Sequence, residues 1–390
     1  IISSVAVASA QTQGNATLQG FTQAGLTSLN AAMAKWVEAK KGANVVTLLA
    51  RHGKIVNHDA YGVLDASATT KVPVKKDTIF RIMSMTKPVV GVAMMMLYEE
   101  GKWKLDDPVA KYIPEFKDLK VKLADGTFVP QTKPMVMAHL MSHSAGFPGM
   151  LTVNSPTLGE IIPPLVKGQL AFQPGRDWRY GPGVEIQGYL IEKWAGKDLS
   201  DFLEERIFKP LGMVDTGFFI DASKVDRVSK LHSALGGSLS SMRSSTATTK
   251  PKRLSPSGGL LSTAVDYWKF AQMVLDRGTF NGRRYLQPET VDLMHKNVLA
   301  SDVPVKFGGS SGEGIGFGMD FAIVLDQEKS KNSMPKEAYY WGGAYGTWFW
   351  IDPVNDVVFV GLIQNVGAQL SGDNSLRQIS AKEAYAALGK

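Results

Sequence analysis

A chain of 390 residues with 44% hydrophobic and 20% charged residues is globular, with length for one large or two ordinary domains. The absence of cysteine excludes disulfides, thiolate metal sites and a cysteine nucleophile. The net charge is +7, yet the basic residues are scattered; the one cluster, Lys250-Pro-Lys-Arg253, reads as a solvated loop rather than a nucleic-acid patch, and no apolar run is long enough to span a membrane.

The first residues, Ile1 to Ala10, end in the A-x-A pattern of a cleaved secretory signal, without its charged start. They predict export to a periplasm or the medium, so residues 1–18 are set outside the fold. Leu26, Leu29, Met33, Trp36 and Val37 recur at helical spacing ahead of Gly42 and predict an amphipathic helix. Residues 44–51 and 54–61 read as two strands turned at His52-Gly53. A helix followed by a hairpin suits an antiparallel sheet covered by helices better than parallel winding.

Residues 80–101 come next. The run from Pro88 to Leu97 is apolar apart from glycine, with Pro88 near the helix start and Gly101 as its stop. It predicts a core helix with Ser84 at its first turn and Lys87 three residues on, hence on one face. A serine is a poor nucleophile until a base takes its proton, and a lysine can do so once burial or a nearby cation favours its neutral amine. Ser84 and Lys87 are thus a candidate nucleophile and base. The alternative is an N-cap serine followed by a surface lysine.

Beyond this helix, residues 105–114 and 135–142 predict short helices, 184–194 and 199–208 a helix pair, and 229–258 a long Ser/Gly/Lys-rich loop. Residues 261–276 read as a helix capped by Thr263. Strands are predicted at 316–325, 338–341, 345–351 and 357–363, and a last helix at 376–388. Sheet strands therefore lie at both ends of the chain, with a mostly helical insertion between them and Ser84 at the seam, where active sites are favoured.

Two later stretches bear on chemistry. Trp178-Arg-Tyr180-Gly181-Pro182 leads into a helix. Its phenol could relay a proton or could anchor a loop by its hydroxyl. Trp341-Gly342-Gly343-Ala344 lies between two strands, where paired glycines mark either close approach of a ligand or a β-bulge. In the first case the N–H of Ala344 could join that of Ser84 as an oxyanion hole. Gly308-Gly-Ser310-Ser-Gly312 fits a G-x-S-x-G elbow. It lacks the flanking strand and helix, and the last histidine, His295, precedes it, so it reads as a loop.

Ser84-x-x-Lys87, Tyr180 and Trp341-Gly-Gly, in this order and spacing, resemble the serine β-lactamase and penicillin-binding-protein superfamily. The set is most similar to family VIII carboxylesterases, which themselves resemble class C β-lactamases. The resemblance runs from about residue 25 to 388 and is supported by the stretches 139–146, 208–215 and 258–264. Class C β-lactamases carry Tyr-x-Asn and Lys-Thr-Gly, whereas this chain has Pro182 at the Asn position and Trp341-Gly-Gly on the strand. Those departures point from β-lactams to neutral esters.

The resemblance implies an α+β fold of the β-lactamase/transpeptidase type. Residues 19–82 and 255–390 would form a domain with an antiparallel sheet flanked by helices, and 83–254 a mostly helical inserted domain. It implies Ser84, Lys87 and Tyr180 as catalytic, the N–H groups of Ser84 and Ala344 as oxyanion hole, and Trp178, Trp341, Gly342 and Gly343 as substrate-binding. The expected activity is hydrolysis of small-molecule carboxylic esters with short acyl chains. It requires no metal or organic cofactor and no nucleic-acid partner. The alternatives are an amide hydrolase on the same scaffold (a β-lactamase, a D-amino-acid peptidase or another peptidoglycan-type enzyme) and a slowly acylating penicillin-binding or sensor module.

Overall fold

The computed structural model describes residues 18–150, 155–234, 238–244, 247–307, 311–368 and 375–389. The A-x-A segment lies outside the described residues, as does Ser310. Helix α1 (Gln23–Glu38) opens on Thr22, whose hydroxyl accepts from the Gly25 N–H at 3.1 Å, and turns Leu26, Leu29 and Met33 inward. Strands β1 (Asn44–Arg51) and β2 (Lys54–Gly62) form the expected hairpin. His52 and Gly53 both hold positive φ, 51° and 69°, the backbone that a tight two-residue hairpin turn needs.

Helix α2 (Thr86–Glu99) is buried from Thr86 to Leu97 on all sides, as its apolar run predicts. Each buried Val, Met or Leu contributes about 1.5–3 kcal/mol, which offsets burying the single lysine, Lys87, among them. The stretch expected to be a helix at 105–114 instead forms two 3₁₀ turns, Val109–Lys111 and Pro114–Phe116. Proline at 108 and 114 removes the donors that a longer helix would use. Helices α3 (Met137–Met141) and α4 (Gly183–Ala195) follow.

The long segment 229–258 is not all loop. Leu231–Ser233 and Ser240–Met242 pair with each other, and the first of them pairs with Asn365–Val366. Its basic cluster is solvated as expected, with Lys250 and Lys252 exposed; Lys250 reaches Asp198 at 2.5 Å on the surface, and the half-buried Arg253 lies 4.0 Å from Glu185. Residues 261–262 form a strand against Phe80–Arg81, and helix α5 (Ala264–Leu275) starts only after Thr263, whose hydroxyl caps it.

Residues 316–325 are a hairpin rather than one strand, because Gly318 and Asp320 (φ 63°) turn the chain. This gives β3 (Ile315–Phe317) and β4 (Ala322–Val324). Strands β5 (Tyr339–Gly342), β6 (Trp348–Asp352) and β7 (Val357–Leu362) follow, then helix α6 (Leu376–Ala387).

The seven strands form one antiparallel sheet in the order β3-β4-β5-β6-β7-β1-β2. Strand β1 lies beside β7 with Val46 opposite Leu362 and Leu49 opposite Phe359, so both ends of the chain share the sheet. Alternation along β6 sends Trp348 and Trp350 to one face and Phe349 to the other. The Trp348 indole donates to Ser380 Oγ of α6 at 3.1 Å, and the Phe349 ring packs 5.0 Å from Tyr267 of α5. Helices α1 and α6 therefore cover one face, and α5 covers the other.

Candidate active site

The turn carrying Ser84 is a 3₁₀ segment, Met83–Met85, set just ahead of α2 rather than within it. It is pinned from several directions. The Ile82 N–H donates to the Leu260 carbonyl at 3.0 Å, and the Thr347 hydroxyl donates to the Ile82 carbonyl at 3.0 Å. The Tyr267 hydroxyl of α5 donates to the Met85 carbonyl at 2.9 Å. These bonds hold Met83 at φ 49°, a left-handed conformation that costs a non-glycine residue about 1 kcal/mol or more.

Gly343, immediately after β5, is required by this turn. A Cβ there would stand 2.2 Å from Thr347 Oγ1 and 2.4 Å from the Ile82 carbonyl oxygen. What approaches Gly343 closely is thus the Ser84 turn itself, where the sequence reading expected a ligand. Beyond it, Ala344 is exposed in the turn between β5 and β6, and its N–H has no partner among the described residues.

Lys87 is 1% exposed, whereas Ser84 is half-buried. The Lys87 amine lies 3.2 Å from Ser84 Oγ and donates to the Ser257 carbonyl at 2.7 Å. It also sits 4.5 Å from the centre of the Tyr180 ring. The surface-lysine alternative is therefore excluded by burial. Tyr180 Oη is buried without a hydrogen-bond partner among the described residues, so it does not anchor a loop. Ser84, Lys87 and Tyr180, nearly one hundred positions apart in sequence at the extremes, meet around one amine.

Trp178 and Trp341 are each 4% exposed. With Tyr180, Phe307 and Phe317 they form an aromatic cluster: Trp341 lies 5.5 Å from Tyr180, 5.4 Å from Phe307 and 5.3 Å from Phe317, and Trp178 lies 5.5 Å from Phe317. Gly342 is half-buried at the end of β5. A separate cavity of about 390 Å³, lined by Phe116, Leu119, Gln131 and Met135 among others, includes none of the residues named for the site.

Several groups here were missed from sequence. His143 is buried at φ 57° with its ring 4.7 Å from Tyr180, and desolvation, reinforced by Lys87, pushes it well below the usual histidine range, so it is neutral. Asp320 is also buried. Gln187 of α4 donates to its Oδ1 at 3.3 Å, while Oδ2 faces Gly91 of α2, where a Cβ would come within 2.9 Å. Burial raises the Asp320 carboxyl well above its ordinary range, against the smaller opposing pulls of Gln187 and Lys87. No local pattern marks such residues, since a lone Asp after Gly-Met carries no spacing signal.

A carboxyl that binds its proton more tightly folded than unfolded contributes fully below about pH 4. That contribution is lost as pH rises through the folded value. Asp320→Asn, which keeps the acceptor for Gln187 and tolerates the left-handed backbone, should therefore stabilise the protein at pH 7 by roughly 1 kcal/mol or more and change little near pH 3.5. Thermal melts of both proteins across that range check this. A variant less stable than wild type at pH 7 would mean that Asp320 is ionised and paired.

A family model described as beta-lactamase matches residues 20–381. The chain belongs to the β-lactamase family. Protein Rv1367c of Mycobacterium tuberculosis is 30% identical over 89% of this chain and 95% of its own length. Esterase EstB of Burkholderia gladioli is 26% identical over 82% of this chain and 86% of its own length. Among solved structures, EstCE1, described as a hydrolase with promiscuous acyltransferase activity, superposes with a TM-score of 0.79 at 24% identity, covering 93% of this chain and 98% of its own; it shares the fold. The protein is thus a serine hydrolase of the β-lactamase and penicillin-binding-protein superfamily, as the motif order implied. Among the described residues no helix is long and apolar enough to cross a membrane.

Proposed function

We propose that this β-lactamase-family protein is a carboxylesterase working through an acyl-enzyme on Ser84. The observation that carries the reading is the buried Lys87 amine, held between Ser84 Oγ and the Ser257 carbonyl beside Tyr180. Ser84 Oγ attacks the ester carbonyl carbon, and its proton passes to the Lys87 amine as base, with the Tyr180 hydroxyl in the relay. The N–H groups of Ser84 and Ala344 receive the oxyanion. The proton then goes to the departing alkoxide and the alcohol leaves. Water attacks the acyl carbon by the same route in reverse and frees the acid.

Ester rather than β-lactam specificity is supported by the aromatic ring of Trp341 where a lysine would meet a substrate carboxylate, and by the esterase EstB among the relatives. Without that cation, an anionic β-lactam loses a charge-assisted bond of about 1.5–3 kcal/mol, one to two decades of selection. The close packing of the Trp178, Phe317 and Trp341 rings supports a preference for short acyl groups over long ones. The test compares p-nitrophenyl acetate, butyrate and laurate with nitrocefin. Acetate and butyrate should exceed laurate by about tenfold or more in kcat/KM, with nitrocefin slow. Faster laurate hydrolysis overturns the short-chain reading. Dominant nitrocefin turnover points to an amide hydrolase, and stoichiometric labelling without turnover to a binding module.

A further inference from the structure

The Lys87 amine is oriented by a backbone carbonyl, that of Ser257. A carbonyl can orient an amine only if its own segment is held. Residues 253–259 have no regular structure of their own among the described residues, beyond a turn in which the Gly258 and Gly259 N–H groups donate to the Ser255 carbonyl at 3.2 and 2.9 Å. What fastens the segment is helix α4, one turn beyond Tyr180.

Two features of α4 do this. Gly188 accepts Pro256 against bare backbone: a Cβ at 188 would come within 2.2 Å of the Pro256 ring. One turn earlier, Glu185 is 6% exposed and its Oε1 accepts from the Ser257 hydroxyl in a short hydrogen bond and from the Ser255 hydroxyl at 3.4 Å. Arg253 stands 4.0 Å from the other oxygen, Oε2, so the carboxylate is not left without counter-charge. Glu185 also lies in the first turn of α4, where the helix end favours a negative group.

We propose that Glu185 is a positioning residue for the general base. Its carboxylate clamps the hydroxyls of Ser255 and Ser257, and the Ser257 carbonyl thereby keeps the Lys87 amine on Ser84 Oγ. The inference rests on the esterase reading above and adds to it a residue that touches neither Ser84 nor Lys87. The consequence is specific. Loosening the clamp lets the amine leave the serine, which slows acylation without removing any group that touches the ester. A misplacement of about 1 Å costs up to roughly a hundredfold in rate.

The experiment measures steady-state hydrolysis of p-nitrophenyl butyrate by wild type, Glu185→Ala, Glu185→Gln, Ser257→Ala and the double variant Glu185→Ala/Ser257→Ala, with Ser84→Ala as control. Glu185→Ala should lose about ten- to a hundredfold in kcat with KM within about twofold. Glu185→Gln, which keeps an acceptor oxygen at the same reach, should recover to within roughly threefold of wild type. Ser257→Ala retains the backbone carbonyl but loses the hydroxyl, and it should fall in kcat like Glu185→Ala. The double variant should be no slower than the slower single one, since both cut the same clamp. If Glu185→Ala does not fold, Ser257→Ala with the same split between kcat and KM carries the test. Unchanged kcat in folded Glu185→Ala or Ser257→Ala overturns the inference. So does Glu185→Gln as slow as Glu185→Ala, or losses that add in the double variant. Activity surviving in Ser84→Ala would instead overturn the esterase reading itself, which keeps the two failures apart.

Discussion

Ser84→Ala is expected to abolish ester hydrolysis, by about three decades or more, while the protein stays folded. In the proposed mechanism the Ser84 hydroxyl supplies the attacking oxygen, and the half-buried turn around it is held by Ile82, Met85 and Thr347 rather than by that hydroxyl. One lost hydrogen bond costs about 1 kcal/mol, and Lys87 keeps its bond to the Ser257 carbonyl. The check is initial rates on p-nitrophenyl butyrate beside a thermal melt. Retained activity with an unchanged melt would remove Ser84 from the mechanism. Ser310→Ala, in the elbow-like stretch, should leave the rate nearly unchanged, and a loss as large as that of Ser84→Ala would restore the elbow as the nucleophile.

Lys87→Met should be almost as damaging to the rate, with a loss of about 10²–10⁴ in kcat, because the serine then has no amine to take its proton. Its effect on stability should run the other way or be nil. Methionine fills the same volume, and the variant no longer has to bury an amine inside α2, where every residue from Thr86 to Leu97 is enclosed. A folded Lys87→Met protein with rates within tenfold of wild type would shift the role of base to Tyr180 alone. A strongly destabilised one would mean that the bonds to Ser84 and Ser257 outweigh the cost of burial.

Both expectations begin in four letters, Ser-x-x-Lys, that by themselves fit a capped helix with a surface lysine better. The apolar run from Pro88 to Leu97 made the difference, because a helix hydrophobic on all sides must be enclosed and takes its lysine with it. The hairpin was equally legible: His52-Gly53 supplies a turn, and the β-branched and apolar run at 45–49 ahead of it supplies the first strand. The reading of 316–325 as one strand failed because the turn is made by Asp320 at positive φ, which sequence pattern does not announce. The reading of 250–253 as a solvated cluster holds for Lys250 and Lys252, which are exposed, but the partners of Lys250 and Arg253, Asp198 and Glu185, lie 52 and 68 positions away and carry no local signal.

The sequence by itself determined the local and ordered features: a core helix led by Ser84 and Lys87, a sheet drawn from both ends of the chain, and a motif order that placed the chain in its family. These depend on periodicity and on neighbours within a few residues, which short-range sterics and burial enforce. The tertiary structure decided which groups surround the amine. The Ser257 carbonyl meets Lys87 directly, Glu185 of α4 bonds the Ser257 hydroxyl behind it, and the neutral His143 and the buried Asp320 act on the same interior through space from a loop and the β3–β4 hairpin. Each is a single polar residue in its own segment. Its meaning comes only from the low-dielectric interior into which the rest of the chain packs it, where one hydrogen bond or one charge counts for more than it would in water.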